Sequence, residues 1–312
     1  MKNELLSYFG LGLHSILGGV KESFFAGVEE IRLRVGKPII IYKNNKEYFV
    51  GADGGVYTDI NLGYRPTAKE VNKTLELMCG YSLYAFGEEI KNGYITLQSG
   101  HRVGITGQVI TENGAITGIK NINGLNLRVS HEVLGCSNEV IRYVCEPDLK
   151  HCMIISPPAC GKTTLLRDIV RIVSDGYGGR PGQKVGVVDE RSEIAGCYMG
   201  VAQNNIGQRT DVLDSCPKSI GMKMLLRSMS PRLIAVDEIG SRADIDAIDE
   251  VTNAGVKIIC TVHGRDIDDL LKKPVLNGLL NKNLFELFIV LGYDKKPGKI
   301  MGVYGQDYKR AT

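Results

Sequence analysis

No Cys-x-x-Cys pair, no repeated histidine spacing and no apolar run of membrane length occurs in this chain, and each absence removes a class of protein. The eight cysteines, at 79, 136, 145, 152, 160, 197, 216 and 260, are scattered, which disfavours a zinc site or a disulfide framework and points to a reducing compartment. Residues 1–10 carry Lys2 and Glu4 inside a short amphipathic pattern, and nowhere does an uninterrupted apolar run approach the roughly 18 residues a membrane span needs. The expected location is cytoplasmic, with any membrane association made through partner proteins. A basic run with interleaved aromatics is also missing. The net charge of +3 and an isoelectric point near 8.3 fall short of the value above about 9 usual for nucleic-acid-binding domains, so nucleic acid is not the expected partner. There is no internal repeat and no low-complexity segment.

What is present is enough apolar material, 43% of 312 residues, for two ordinary cores. The two halves differ in texture. Residues 31–35 alternate, Gly36-Lys37-Pro38 reads as a turn, and residues 39–42 continue extended. Thr67 and Glu70 form a capping box after Pro66, with Val71, Leu75 and Met78 on one helical face, which predicts a helix over 68–79 ended by Gly80. Strands follow at 94–97, 102–110 and 115–119, with Asn113-Gly114 supplying the positive φ of a tight hairpin. After Arg128 the pattern becomes βαβ. Short apolar runs at 152–155, 185–188, 233–236 and 258–262 are candidates for buried parallel strands. The expected division is an N-terminal α+β domain over 1–134 and a nucleotide-binding domain over 135–312.

The chemistry begins at the end of the first of those runs. Ser156, Pro157, Pro158, Ala159, Cys160, Gly161, Lys162, Thr163 and Thr164 match a phosphate-binding loop. Successive backbone N–H groups cradle phosphate, Lys162 brings one positive charge and Thr163 a hydroxyl for magnesium. The ammonium is expected to face solvent when no nucleotide is bound. The donors fall at 159–164, so the two prolines remove none of them. The loop pattern calls for glycine where this chain has Ser156, which is expected to sit in ordinary extended conformation. Cys160 reads as a small residue tolerated in a tight loop, since nothing nearby would serve as a resolving thiol.

Downstream, the run 233–236 ends in Asp237 and Glu238, where one carboxylate suits the metal shell and the other the attacking water. The run 185–188 repeats the construction with Asp189 and Glu190, and two acidic strand ends in one parallel sheet are expected to face one crevice. Glu190 is the rival to Glu238 for the water. His263 closes the run 258–262, either as a sensor of the γ-phosphate or as a structural histidine.

The stretches Glu30-Ile31-Arg32-Leu33-Arg34, Gly93-Tyr94-Ile95-Thr96, Gly100-His101-Arg102-Val103-Gly104, Cys160-Gly161-Lys162-Thr163-Thr164-Leu165-Leu166-Arg167-Asp168, Val188-Asp189-Glu190-Arg191-Ser192-Glu193-Ile194-Ala195-Gly196, Met229-Ser230-Pro231 and Val236-Asp237-Glu238-Ile239-Gly240 together resemble the stage III sporulation protein AA family, ATPases related to type II and type IV secretion motors. The likeness spans both halves. It implies an α/β fold: a RecA-like P-loop ATPase core, mainly parallel sheet flanked by helices, with a smaller α+β N-terminal domain. It also implies ATP and Mg2+ as ligands. Asp189-Glu190 would be the acidic box, Asp237-Glu238 the second nucleotide motif and His263 the histidine box. The implied setting is a homo-oligomeric ring, a hexamer in such motors, docked on membrane proteins of a channel between mother cell and forespore. Relatives recruit arginines from the N-terminal half to a neighbour's nucleotide, and Arg32, Arg34, Arg102 and Arg128 are the candidates.

Two other activities are open to such a core. A nucleic-acid-stimulated RecA-like ATPase would call for the basic run that is missing here, and a small-molecule kinase would call for a second basic lid segment, which is not apparent.

Overall fold

The computed structural model describes residues 2–294 and 296–311. The chain divides into two compact units, Met1–His131 and Glu132–Thr312.

In the first unit β1 (Val28–Arg34), β2 (Lys37–Lys43), β3 (Lys46–Val50), β4 (Val56–Tyr57), β5 (Tyr94–Thr96), β6 (Arg102–Glu112) and β7 (Ala115–Arg128) form one sheet, ordered β4-β3-β2-β1-β7-β6-β5. Every neighbouring pair is antiparallel. The period-2 alternation buries Ile31, Leu33, Val103, Leu125 and Leu127 on one face. The helix Ala68–Met78 begins with the complete capping box between Thr67 and Glu70 and buries Val71, Leu75 and Met78. Asn113 and Gly114 both have positive φ, 50° and 79°, as a tight hairpin turn demands.

Two expectations for this unit are corrected. The turn between β1 and β2 is Val35-Gly36, with Gly36 at φ 68°, while Lys37 and Pro38 already belong to β2. Pro38 is tolerated there because the β1–β2 register shifts between Arg32 and Arg34, so the missing N–H falls where the ladder is already irregular. The second correction is length. β7 runs on to Arg128, well past residue 119, because a register shift between Thr106 and Gln108 carries pairing beyond Gly118 and Asn121.

In the second unit β8 (Cys152–Ser156) precedes a small hairpin of β9 (Gly176–Tyr177) and β10 (Arg180–Pro181). β11 (Val185–Asp189), β12 (Thr210–Asp214), β13 (Leu233–Val236), β14 (Lys257–His263), β15 (Leu287–Asp294) and β16 (Lys296–Gly305) follow. The sheet order is β12-β11-β13-β14-β8-β15-β16, parallel except for the antiparallel edge pair β15–β16. The apolar runs are continuous because both faces are covered. Ile154, Val187 and Ala235 enter one core with Leu166 and Ile169 of the helix Lys162–Asp175. Met153, Ile155, Val188, Ile234 and Val236 enter the other with Ile248 and Val251 of the helix Arg242–Asn253. This is a mainly parallel α/β sheet flanked by helices. β12, β15 and β16 extend the sheet beyond the four strands read from the sequence.

Candidate functional site

Because β8, β11, β13 and β14 run parallel, their C-terminal ends collect on one edge, where open α/β sheets place their ligands. The residues at those ends are Ser156, Asp189, Val236 followed by Asp237, and His263. Register fixes the neighbours: His263 stands opposite Ser156 across β14–β8, and Val236 opposite Cys260 across β13–β14, which sets Asp237 beside Thr261.

The loop after β8 turns through Ala159 at φ 57° and Gly161 at φ 78°. A Cβ on Gly161 would meet the Cα of Gly298 at 3.3 Å, so both conformation and space call for glycine. The helix starts at Lys162, and its first bond joins the Leu165 N–H to the Gly161 carbonyl at 2.9 Å. The N–H groups of Lys162, Thr163 and Thr164 therefore lack intrahelical acceptors and carry the positive end of the helix dipole. That is a cradle for an anion. Ser156 is extended and fully buried, its hydroxyl donating to the Pro157 carbonyl of the same loop at 2.8 Å. Cys160 is buried, and like the other seven cysteines it is free.

The Thr163 hydroxyl donates to Asp237 Oδ2 at 2.5 Å, and the Thr261 hydroxyl donates to Asp237 Oδ1. A hydroxyl and a carboxylate in contact beside an anion cradle are the protein ligands a phosphate-bound Mg2+ uses, the rest of its shell being phosphate oxygens and water. Among the described residues there is no group of three or more His, Cys, Asp and Glu side chains that could hold a metal alone.

Lys162 departs from the expectation of a solvent-facing ammonium: its side chain is only 6% exposed. It lies 3.3 Å from His263 Nδ1 and 3.6 Å from Glu238 Oε1, so ring and carboxylate together satisfy the buried ammonium. An ammonium can only donate, which makes Nδ1 an acceptor and leaves the ring proton on Nε2, 2.8 Å from Glu238 Oε1. The other oxygen of Glu238 accepts from Arg191 Nη1 at 2.9 Å. Glu238 itself has φ 51°. Its N–H is held by Thr261 Oγ1 at 2.9 Å and Asp237 Oδ1 at 3.1 Å, contacts that offset the local cost of about 1 kcal/mol or more for a left-handed non-glycine residue.

The earlier acidic pair divides its labour. Both pairs line one small crevice of about 20 Å³, with Asp189, Glu190, Asp237 and Glu238 on its walls. Asp189 is 2% exposed, and it accepts the N–H groups of Glu193, Ile194 and Ala195 at 2.8, 3.0 and 2.8 Å. Burial pushes its carboxyl above the usual value despite those donors. It shapes the loop after β11. Glu190 is paired with Lys218.

Four residues have tasks that the sequence did not assign: Arg167, Asp168, Arg191 and Thr261. Arg167, on the loop helix, donates from Nε to the Ile194 carbonyl and from Nη2 to the Glu193 carbonyl, both at 2.6 Å. The segment 193–195 is thus held by its N–H groups on Asp189 and by two carbonyls on Arg167. Asp168 accepts from the Ser137 N–H (2.8 Å) and hydroxyl (2.7 Å), the Gly135 N–H (3.1 Å) and Arg171 (2.7 Å). The signal was available in principle: two charged residues inside an otherwise apolar helical stretch, and a threonine inside an apolar strand.

In the first unit, cross-strand register pairs Glu30 with Arg128 and Arg128 with Arg102. Arg32 and Arg34 follow Glu30 at alternate positions, so all four candidate arginines share the face opposite the core. Arg32 Nε lies 3.5 Å from Glu30, and the Arg102 guanidinium stacks 3.6 Å above the Tyr94 ring.

The family model for sporulation stage III, protein AA matches residues 1–311. The chain belongs to that family. Stage III sporulation protein AA of Bacillus subtilis (strain 168) is 38% identical over 305 residues, covering 98% of this chain and 95% of its own. In structure, this family member is similar to the Legionella pneumophila ATPase DotB, with TM-score 0.57 and 16% identity over 85% of this chain and 72% of that one. It is also similar to the pilus retraction motor PilT, solved with bound ADP, with TM-score 0.56 and 13% identity over 87% of this chain and 76% of that one. These likenesses establish the RecA-like fold of the secretion ATPases. No helix among the described residues is long and apolar enough to cross a membrane.

Proposed function

We propose that this chain is a Mg2+-dependent ATPase that works as a homo-oligomeric ring and energises a sporulation-associated channel or secretion complex at the membrane. The contact that carries the reading is Thr163 on Asp237 at 2.5 Å, set against a helix start with unsatisfied N–H groups and a buried lysine. Thr163 and Asp237 would hold the metal, which supplies charge neutralisation at the β- and γ-phosphates. Lys162 exchanges Glu238 and His263 for phosphate oxygens. Glu238, relieved of the ammonium, orients and polarises the attacking water, with His263 and Arg191 fixing its two oxygens. Family membership supports the sporulation setting, and the fold shared with an ATPase and a pilus retraction motor supports a nucleotide-driven machine. Arginines from a neighbour's first unit, Arg102 or Arg128 above all, would stabilise charge on the transferring phosphoryl group.

The test is Lys162→Ala. Hydrolysis of ATP should disappear while the thermal unfolding transition persists, because Glu238 keeps Arg191 and His263 as partners. Unchanged turnover in a folded variant would remove the phosphate loop from the mechanism.

A further inference from the structure

The N-terminal edge of the parallel sheet, opposite the nucleotide edge, is lined with cations that are far apart in sequence. Arg209 precedes β12, Lys184 precedes β11, Arg232 precedes β13, Lys257 opens β14 and Lys150 stands two residues before β8. Register aligns Val185 with both Thr210 and Leu233, which places Arg209, Lys184 and Arg232 in one row. Leu233 aligned with Lys257 and Cys152 with Ile259 continue the row through Lys257 and Lys150. Backbone bonds join it directly: Arg232 N–H to the Lys184 carbonyl at 2.9 Å and Lys257 N–H to the Arg232 carbonyl at 3.0 Å. Of these cations, Lys257 is neutralised by Glu286 at 2.7 Å. The exposed side chains of Lys184 and Arg232 have no partner among the described residues.

Beside the row lies a cavity of about 240 Å³ with Val173, Tyr177 and Pro181 in its wall, Arg180, Arg232 and Lys257 around it and Asp148 as the one acid lining it. Its volume is below the roughly 300–1,000 Å³ of small-molecule sites, which suits an inserted side chain better than a whole metabolite. A concave apolar floor is a poor match to a flat bilayer surface. Tyr177 alone does not make the stacking platform that single-stranded nucleic acid uses.

We propose that this edge docks an acidic segment of a protein partner, an apolar side chain entering the cavity while flanking carboxylates meet Arg232 and Lys184. The inference stands independently of the nucleotide reading. The probe is a short fluorescein-labelled peptide alternating glutamate with leucine, titrated by anisotropy against the full chain at low salt. Binding should weaken about tenfold in the double variant Lys184→Glu, Arg232→Glu, weaken with added salt, and be absent for a glutamine–leucine control. ATP turnover of the double variant should match wild type. Equal binding of the control peptide, or binding untouched by the two reversals, overturns the proposal. So does a failure of the peptide to bind while phosphatidylglycerol vesicles or oligothymidylate bind in a reversal-sensitive way, which would assign the edge to lipid or to nucleic acid.

Discussion

Replacing Glu238 with glutamine keeps the shape of the side chain and removes its charge, which separates a chemical role from a structural one. The carboxylate is 25% exposed and its partner Arg191 is 61% exposed, so solvent screens that pair, whereas Lys162, 6% exposed and 3.6 Å away, loses a counter-charge and keeps His263 Nδ1 and the amide oxygen as acceptors; the replacement should cost about 1–3 kcal/mol of stability. For a domain of this size each kcal/mol corresponds to a shift of about 2–4 °C in melting temperature. The amide must also turn one NH2 towards His263 Nε2 or Arg191, setting donor against donor, and either ring or guanidinium can move to water. Turnover should respond very differently. A positioned general base contributes about 10²–10⁴-fold, equivalent to roughly 3–5 kcal/mol of barrier. Steady-state ATP hydrolysis should therefore fall at least a hundredfold, while binding of a fluorescent ATP analogue with magnesium stays within a few fold of wild type. Glu190→Gln, which disturbs only the Lys218 pair, is the matched control. If Glu190→Gln loses turnover and Glu238→Gln keeps it, the water-activating carboxylate lies on the loop after β11 and the assignment is wrong.

Thr261→Val is nearly isosteric, yet it strips the Glu238 N–H of one acceptor and Asp237 of one donor; we expect a loss of about 1–3 kcal/mol in urea unfolding together with reduced turnover, and wild-type values for both would refute the role given to Thr261. Asp168 has a side chain only 1% exposed; burial pushes its carboxyl up, but the bonds from Ser137, Arg171 and Gly135 outweigh it and hold it below the usual 3.8. Its stabilisation is therefore fully present above that value and is lost as pH falls through the lower, folded value. Asp168→Asn should cost about 3 kcal/mol near neutral pH and flatten the acid limb of the stability profile, whereas an unchanged profile would show that the network contributes nothing. For assembly, specific activity should rise faster than linearly with protein concentration. Mixing Lys162→Ala subunits with subunits carrying Arg102→Ala and Arg128→Ala should restore turnover; flat specific activity and no rescue would rule out shared sites.

Local chemistry made part of this protein legible in its sequence. The capping box at Thr67 and Glu70, the turn at Asn113-Gly114 and the glycine before Lys162 each depend on residues within a few positions of one another, and each appears in the structure where the chain alone would put it. The four apolar runs are equally local, since a strand buried on both faces needs continuous hydrophobicity. β12 escaped notice because Thr210–Asp214, a sheet edge, carries no such run, and the strand read at 115–119 was cut short of Arg128 because glycine and asparagine interrupt the pattern of β7 without ending its pairing. Tertiary structure decided between the two acidic pairs that the chain left as rivals, showing which carboxylate is spoken for and which stands beside Lys162. Asp189-Glu190 and Asp237-Glu238 read identically as strand ends, but the Asp189 carboxylate is consumed by three backbone N–H groups of its own loop, while Glu238 reaches Lys162 and His263. Register likewise gathered four arginines on one face of the first sheet and a row of cations along the lower edge of the second. Contacts of that kind join residues tens to hundreds of positions apart, and no pattern within a single strand records which strand will lie beside it.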